Sequence, residues 1–291
     1  MIKNKKILLS ADRDIPLLKF LWRWKLATTA ALKWKFFPSK SAHTTYNQLL
    51  RLKNGGFIKH RITDQANGFV WTLSLKGFKA IQDSLPSLME AGYDSETLNH
   101  DFLVTALHIG DWFISTPPKV KFFTEQQLRR YAVEEYPDWV PKSQSHRPDG
   151  YTLLPLKNQL RVVAFEVELS TKPNDKYQEV AEFYSDEDSI ARVIWLVPSA
   201  SAARRLEEQF SQSGVERSNI HNFITVPDFK NSLWGAIVFI GPEKGKTLLE
   251  FLDEKPCAKL VQTLVRCPTH PLLDIRKSPY RSRTSALAPK S

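Results

Sequence analysis

Three acidic residues lie where a metal-dependent reaction could use them. Asp149 precedes one short apolar stretch, and Glu166 and Glu168 lie within the next. Because side chains alternate along a β-strand, Glu166 and Glu168 are expected on one face of that strand, and the apolar residues between them on the other. Two carboxylates are costly to bury without a partner. A divalent cation is one natural partner, and Asp149 on the neighbouring strand is able to complete its set of oxygen ligands.

Hydrophobic periodicity predicts the elements that position these acids. It predicts helices over residues 96–114, 125–131 and 174–184, and strands over residues 120–123, 151–154, 160–169 and 190–197. This order predicts an α/β domain that spans residues 95–255.

The pattern resembles the PD-(D/E)xK nuclease superfamily, with Pro148-Asp149 at one strand and Glu166-Val167-Glu168 on the next. The resemblance implies a central mixed sheet and Mg²⁺- or Mn²⁺-assisted hydrolysis of a phosphodiester, in which the metal activates water. It implies Asp149 and Glu166 as metal ligands, and Glu168 as a ligand or base. The lysine of the motif is replaced here by Glu168, and Lys172 or Lys176 is the nearby cation that would stand in for it.

The same acids have an interpretation without catalysis. In a retained but inactive fold, they would form ion pairs with Arg147, Arg161 or Lys172. An unrelated sheet domain is the third possibility. In a further set, Glu96, His100 and His108 recur at helical spacing and Asp101 adjoins His100. A solvated or packing role is the favoured interpretation for this set, and a metal site the weaker one.

Charge is distributed very unevenly along the chain. Residues 1–80 hold 16 Lys and Arg against 3 Asp and Glu, residues 81–254 hold 17 against 27, and residues 255–291 hold 8 against 1. Basic ends around an acidic middle indicate that the ends meet a polyanion. Charge alone fits a ribosomal or membrane-surface partner as well as DNA, so local pattern has to decide.

The basic first part has the pattern of three helices and a β-ribbon. Helices are predicted over residues 15–25, 28–36 and 41–53, and strands over residues 57–62 and 69–73, with a turn at Asn67-Gly68. The segments LLRLKNGGFI and WTLSLKGFKAI resemble the recognition-helix end, wing and closing helix of bacterial winged-helix proteins. The resemblance implies a winged helix-turn-helix over residues 1–85 that binds double-stranded DNA.

The polar side chains around the third helix are the predicted DNA contacts. Asn, Gln, Thr and Arg side chains can read base edges in a major groove, and lysines can neutralise phosphates. The predicted contact residues are Lys40, His43, Thr44, Asn47, Gln48, Arg51, Lys59 and Arg61. The alternative is a protein–protein module in which this helix face is only solvated.

A narrower resemblance covers both parts. The winged-helix pattern followed by LNHDFLV, RPDG and FEVELSTK is similar to the replication-relaxation family of plasmid and mobile-element proteins, over residues 12–200. Three functions stay open. They are a DNA-binding accessory or regulator of replication, transfer or transcription, a Mg²⁺-dependent endonuclease, and an interaction protein that docks a relaxase, replication or transposition protein. A homodimer is possible in each case.

The remaining features concern the location of the protein in the cell and the end of the chain. No run of 18 uncharged apolar residues occurs, which predicts that no segment spans a membrane. The two cysteines, Cys257 and Cys267, lack the spacing of a disulfide framework or a zinc site, which favours free thiols in the cytoplasm. Residues 268–291 have the composition of a basic, disordered tail.

Overall fold

The computed structural model describes residues 7–64, 69–86, 88, 92–110, 121–156, 159–212, 218–248 and 250. Within these residues the protein is a mixed α+β structure with two sheets. We call the described residues up to 86 the N-terminal unit, and those from 92 onwards the sheet unit. The predicted turn at Asn67-Gly68 and the predicted tail at 268–291 lie outside the described residues.

The N-terminal unit forms a three-stranded antiparallel sheet covered by helices. Its elements are α1 (Asp14–Trp24), β1 (Leu26–Thr28), α2 (Thr29–Phe36), α3 (Ala42–Asn54), β2 (Ile58–Ile62), β3 (Phe69–Leu73) and α4 (Leu75–Lys79). The strand order is β1-β3-β2, so β3, the second strand of the β2-β3 ribbon, lies in the middle of the sheet. The ribbon and the third helix lie close to their predicted positions, whereas β1 was not predicted.

Side-chain caps define where the helices of this unit begin. The hydroxyl groups of Thr28, Ser41 and Ser74 accept hydrogen bonds from backbone N–H groups in the first turns of α2, α3 and α4. Such caps satisfy donors that have no partner within the helix. After α3, Gly56 adopts a positive φ of 77°, which a residue without a side chain does at little cost.

The sheet unit contains a five-stranded mixed sheet. Its elements are α5 (Leu98–Gly110), β4 (Lys121–Thr124), α6 (Glu125–Arg130), β5 (Gly150–Leu156), β6 (Gln159–Val167), α7 (Asn174–Asp186), β7 (Ile190–Val197), α8 (Ala200–Gln212), β8 (His221–Thr225) and α9 (Val226–Ser232). The order is β4-β5-β6-β7-β8, in which β4, β5 and β6 are antiparallel neighbours and β6, β7 and β8 run parallel. The predicted central mixed sheet is confirmed.

Buried side chains of the two units belong to one continuous apolar core. Helix α1 packs against α6, and β1 packs against α5. Trp22, Trp24 and Leu26, at the junction of α1 and β1, are all buried. Apolar burial of this kind is the main stabilising contribution to a fold, so the contact between the units is part of the folded core. None of the helices in the described part of the chain has the length and apolar character needed to cross a bilayer.

Candidate functional site

Asp149 lies directly before β5, at the place where that strand pairs with the end of β6. Its backbone N–H donates to Phe165 O at 3.0 Å. Its Oδ2 atom accepts from the Val167 N–H at 2.6 Å and lies 3.2 Å from His100 Nε2. The side chain is buried. Two neighbouring elements, the end of β6 and helix α5, therefore hold this carboxylate.

Three side chains that can bind a metal converge at Asp149. Donor atoms of His100, Glu125 and Asp149 all lie within 4.8 Å of one another, and this is the one such group of three among the residues that the structure describes. Glu125 begins α6, and its backbone N–H donates to Asp149 O at 3.0 Å. A capping box formed by Thr124 and Gln127 fixes this helix start. The sequence predicted Asp149 here and gave His100 only as a weaker candidate.

Basic side chains surround the same carboxylates. Lys25 Nζ lies 2.6 Å from Glu125 Oε2 and 3.1 Å from Asp101 Oδ1. Arg129 Nε lies 2.6 Å from Glu125 Oε1. With protonated His100, the three cations equal in number the carboxyl groups of Asp101, Glu125 and Asp149, and burial raises the pKa of Asp149. We call these six side chains the acid cluster. The cluster carries its own counter-ions.

Interactions with the neighbouring carboxylates keep His100 and Lys25 protonated. Burial disfavours the charged imidazolium of His100, but hydrogen bonds to Asp101 and Asp149 outweigh it and raise its pKa to about 10. Burial likewise opposes the charge on Lys25, while Glu125 and Asp101 raise its pKa above the ordinary value. A metal ion bound by His100 would have to displace its proton, because only neutral imidazole is a ligand.

Glu166 and Glu168 have other partners. Glu166 Oε1 accepts from Tyr184 OH at 2.5 Å and lies 2.6 Å from His146 Nε2. Glu168 Oε2 lies 2.6 Å from Lys172 Nζ. Neither glutamate belongs to the group around Asp149. Asp149 and Glu166, the predicted pair of metal ligands, therefore have different hydrogen-bond partners, each set with its own histidine, while burial and the charge of Glu166 both contribute to raising the pKa of Asp149.

The other cations that the sequence offered as partners lie elsewhere. Lys176 Nζ is 2.7 Å from Glu179 Oε1, one turn along α7. The guanidinium of Arg161 donates to the Gln159 side chain at 2.5 Å, and that of Arg147 donates to the Gln144 side chain at 2.9 Å. Of the predicted ion pairs, the one between Lys172 and an acid is confirmed.

Five residues of these two sets were not predicted, namely Lys25, Glu125, Arg129, His146 and Tyr184. His146 lies three residues before Asp149 in a polar loop, and a histidine so close to the Pro-Asp pair was a usable signal. Lys25 and Glu125 gave no signal of this kind, because they are 100 residues apart in the chain.

The start of α3 presents a polar surface. His43, Thr44 and Asn47 are exposed, as is Lys40 just before the helix. Asn47 Nδ2 lies 3.0 Å from the His43 ring, so the two side chains are neighbours along one helix face. Thr45, Leu49 and Leu52 on the opposite side are buried and anchor the helix.

The other predicted DNA contacts are engaged within the protein. The guanidinium of Arg51 contacts the buried carboxylate of Asp14 and donates to Leu8 O at 3.2 Å. Its Nε donates to the Gln48 side chain at 3.3 Å. On the ribbon, Lys59 Nζ lies 3.0 Å from Asp94 Oδ2, and Arg61 donates to Ser95 O at 2.5 Å. These residues connect elements of the fold.

Comparisons with protein-family models, curated proteins and solved structures give no significant match to this chain. The functional assignment therefore depends on the geometry of α3 and of the acid cluster.

Proposed function

We propose that the protein binds double-stranded DNA through the exposed polar face of α3. One observation carries the proposal: His43, Thr44 and Asn47 lie exposed on a capped helix whose opposite face is buried. The order of three helices and a ribbon supports a winged helix, in which α3 would be the recognition helix and β2-β3 the wing.

The chemistry of this face suits a major groove. Asn side chains pair with adenine edges, Thr contacts either base edges or the thymine methyl group, and each good contact discriminates by about 1–3 kcal/mol. Lys40 stands beside the helix N-terminus, where phosphates bind favourably. Residues 1–80 carry 16 basic against 3 acidic side chains, which favours approach to a polyanion.

The sequence resemblances suggest the biological role. We propose an accessory or regulatory protein of a plasmid or mobile element, acting in replication, transfer or transcription control in the cytoplasm. Docking of a relaxase or replication protein by the sheet unit would be compatible with this role.

The test uses the full chain and duplexes selected from a random library. We expect a preferred sequence, and we expect the triple variant His43→Ala, Thr44→Ala, Asn47→Ala to lose the preference while its thermal unfolding is unchanged. The matched control replaces three exposed polar residues of α8, Ser201, Ser211 and Gln212, by Ala. Equal binding to all duplexes before substitution, or loss of preference in the control, would contradict the proposal.

A second candidate function is metal-dependent cleavage of DNA. The observation that favours it is the convergence of His100, Glu125 and Asp149. Imidazole with two carboxylates is a donor set that fits Mn²⁺ better than Mg²⁺, which prefers oxygen ligands. A metal held there would supply an activated water for phosphodiester hydrolysis.

Incubation of the protein with supercoiled plasmid and Mn²⁺ or Mg²⁺ tests this candidate. Nicking that is lost in Asp149→Asn and in Glu125→Gln would support it, with Glu179→Gln on the exposed face of α7 as the control. Absence of nicking with either ion rejects it and leaves DNA binding untouched.

A further inference from the structure

The junction between α1 and β1 is embedded in the sheet unit. Trp22 Nε1 donates to Gly92 O at 2.8 Å. Two hydroxyl groups of the sheet unit bond to the junction backbone. Thr124 donates to Arg23 O, and Thr105 donates to Trp24 O, each at 3.0 Å. Three consecutive residues of the N-terminal unit, Trp22, Arg23 and Trp24, thus form hydrogen bonds with the sheet unit.

Arg23 strengthens this contact between the units. Its Nε donates to Gln127 Oε1 at 3.0 Å, and its guanidinium also donates to Phe122 O. The Trp22 ring stacks on Tyr131, with ring centroids 5.5 Å apart. Buried aromatic and charge-assisted contacts of this type favour one fixed arrangement of two surfaces.

The backbone of Lys25 is strained. It has a φ of 62° and a ψ of −37°. Glycine reaches positive φ easily, whereas another residue held in a sparsely populated region costs about 1–3 kcal/mol. The chain nevertheless has lysine here, and its Nζ is the atom that reaches Glu125 and Asp101. The ion pairs that this conformation makes possible offset the strain.

We propose that Lys25 is a positioning residue that locks the N-terminal unit onto the sheet unit, so that both units approach DNA as one rigid body. Helix α1 carries the constraint to α3. Lys25 directly follows α1, and Asp14, its first residue, is bound by Arg51 of α3. The part about DNA rests on the proposed function, whereas the locking itself does not.

The charge of Lys25 is the essential feature. Without it, Glu125 keeps Arg129 and Asp101 keeps His100, so two buried carboxylates each have one cation fewer. A buried charge that loses part of its neutralisation is destabilised. Loosening of the contact between the units would let water reach both carboxylates, and it is the response expected when the lysine is neutralised.

Distances between spin labels on the two units test the proposal. Labels are placed at Asn54→Cys in α3 and Ser201→Cys in α8, in a full chain whose Cys257 and Cys267 are replaced by Ser. We expect one narrow distance distribution, which Lys25→Met broadens and Lys25→Arg keeps narrow. Lys79→Met, at an exposed lysine of α4, is the control and is expected to change nothing.

Lys25→Gly separates charge from strain, since it relieves the backbone and removes the amino group. We expect its distance distribution to be as broad as that of Lys25→Met. It also keeps the test decisive if Lys25→Met fails to fold. A broad distribution in the parent chain, or a narrow one in the folded Lys25→Gly variant, would overturn the proposal. No DNA is present, so failure here is distinct from failure of DNA binding.

Discussion

The Nε2 atom of His100 lies 3.2 Å from Oδ2 of Asp149, and the same oxygen accepts the N–H of Val167 at 2.6 Å. One carboxylate oxygen therefore joins helix α5 to strand β6. The charges that act on His100 come from three parts of the chain, Asp101 on α5, Asp149 before β5 and Glu125 on α6. Lys25, after α1, contacts Asp101 and Glu125.

We predict that the contribution of His100 to the stability of the protein is lost at alkaline pH. Its pKa rises from 6.5 to about 10 on folding, so its contribution is fully present below about pH 6.5 and is lost as the pH rises through about 10. Urea unfolding of wild type and His100→Gln should differ by on the order of 2 kcal/mol near pH 6, and by much less above pH 10. A difference that is constant with pH would contradict the prediction. His43→Gln, at an exposed histidine, is the control.

The salt dependence of DNA binding should distinguish Lys40 from Lys59, the lysine of the ribbon β2-β3. Lys40 is exposed beside α3, so Lys40→Ala should reduce the slope of log K against log salt by about one unit for every duplex. Lys59 lies 3.0 Å from Asp94, and Lys59→Ala should reduce the slope less. Fluorescence anisotropy titrations at several salt concentrations measure both slopes. Equal effects of the two substitutions would show that Lys59 leaves Asp94 when DNA binds.

Substitution of Arg51 should mainly lower the stability of the protein rather than impair base recognition. Arg51→Ala leaves the buried carboxylate of Asp14 with Arg13 and the Ser10 N–H, at an expected cost of about 1–3 kcal/mol. Asn47→Ala, on the exposed side of the same helix, should cost less than about 0.5 kcal/mol. Urea unfolding tests this difference. If Arg51→Ala leaves the stability unchanged, the prediction of Arg51 as a DNA contact would be favoured instead.

Divalent metal should raise the melting temperature only if the acid cluster binds it. Under the second candidate function, Mn²⁺ stabilises the folded state by mass action, and His100→Gln, Glu125→Gln and Asp149→Asn each abolish the rise. Glu166→Gln should leave the rise intact. The reverse result, in which Glu166→Gln abolishes the rise and Glu125→Gln does not, would support the pair Asp149 and Glu166 that the sequence predicted. No rise in wild type would exclude a metal site of useful affinity.

Local patterns predicted most of the elements that frame the site. The strand Ile190–Val197 and the start of α7 at Asn174 agree with their predicted positions, because a continuous apolar run and a helical period are local signals. Strand β1 was missed because three residues are too few to show a period. Helix α8 was missed although Ala203, Leu206 and Phe210 recur at helical spacing.

The partners of the acids were harder to predict than the strands that carry them. Alternation along the predicted strand 160–169 placed Glu166 and Glu168 on one face, but β6 ends at Val167, and alternation says nothing about what covers that face. Tyr184, which donates to Glu166, lies 18 residues further along the chain, and His100 lies 49 residues before Asp149. Such pairs follow from packing of whole elements, which residue spacing does not contain.

The contact between Lys25 and Glu125 has a consequence for how the chain is made. The two residues are separated by 100 positions. A ribosome adds about 5–20 residues each second, so roughly 5–20 s pass between synthesis of the lysine and synthesis of its partner. During that interval Trp22 and Trp24 belong to a nascent chain that lacks the surface they pack on. We expect this stretch to be where a chaperone meets the emerging protein.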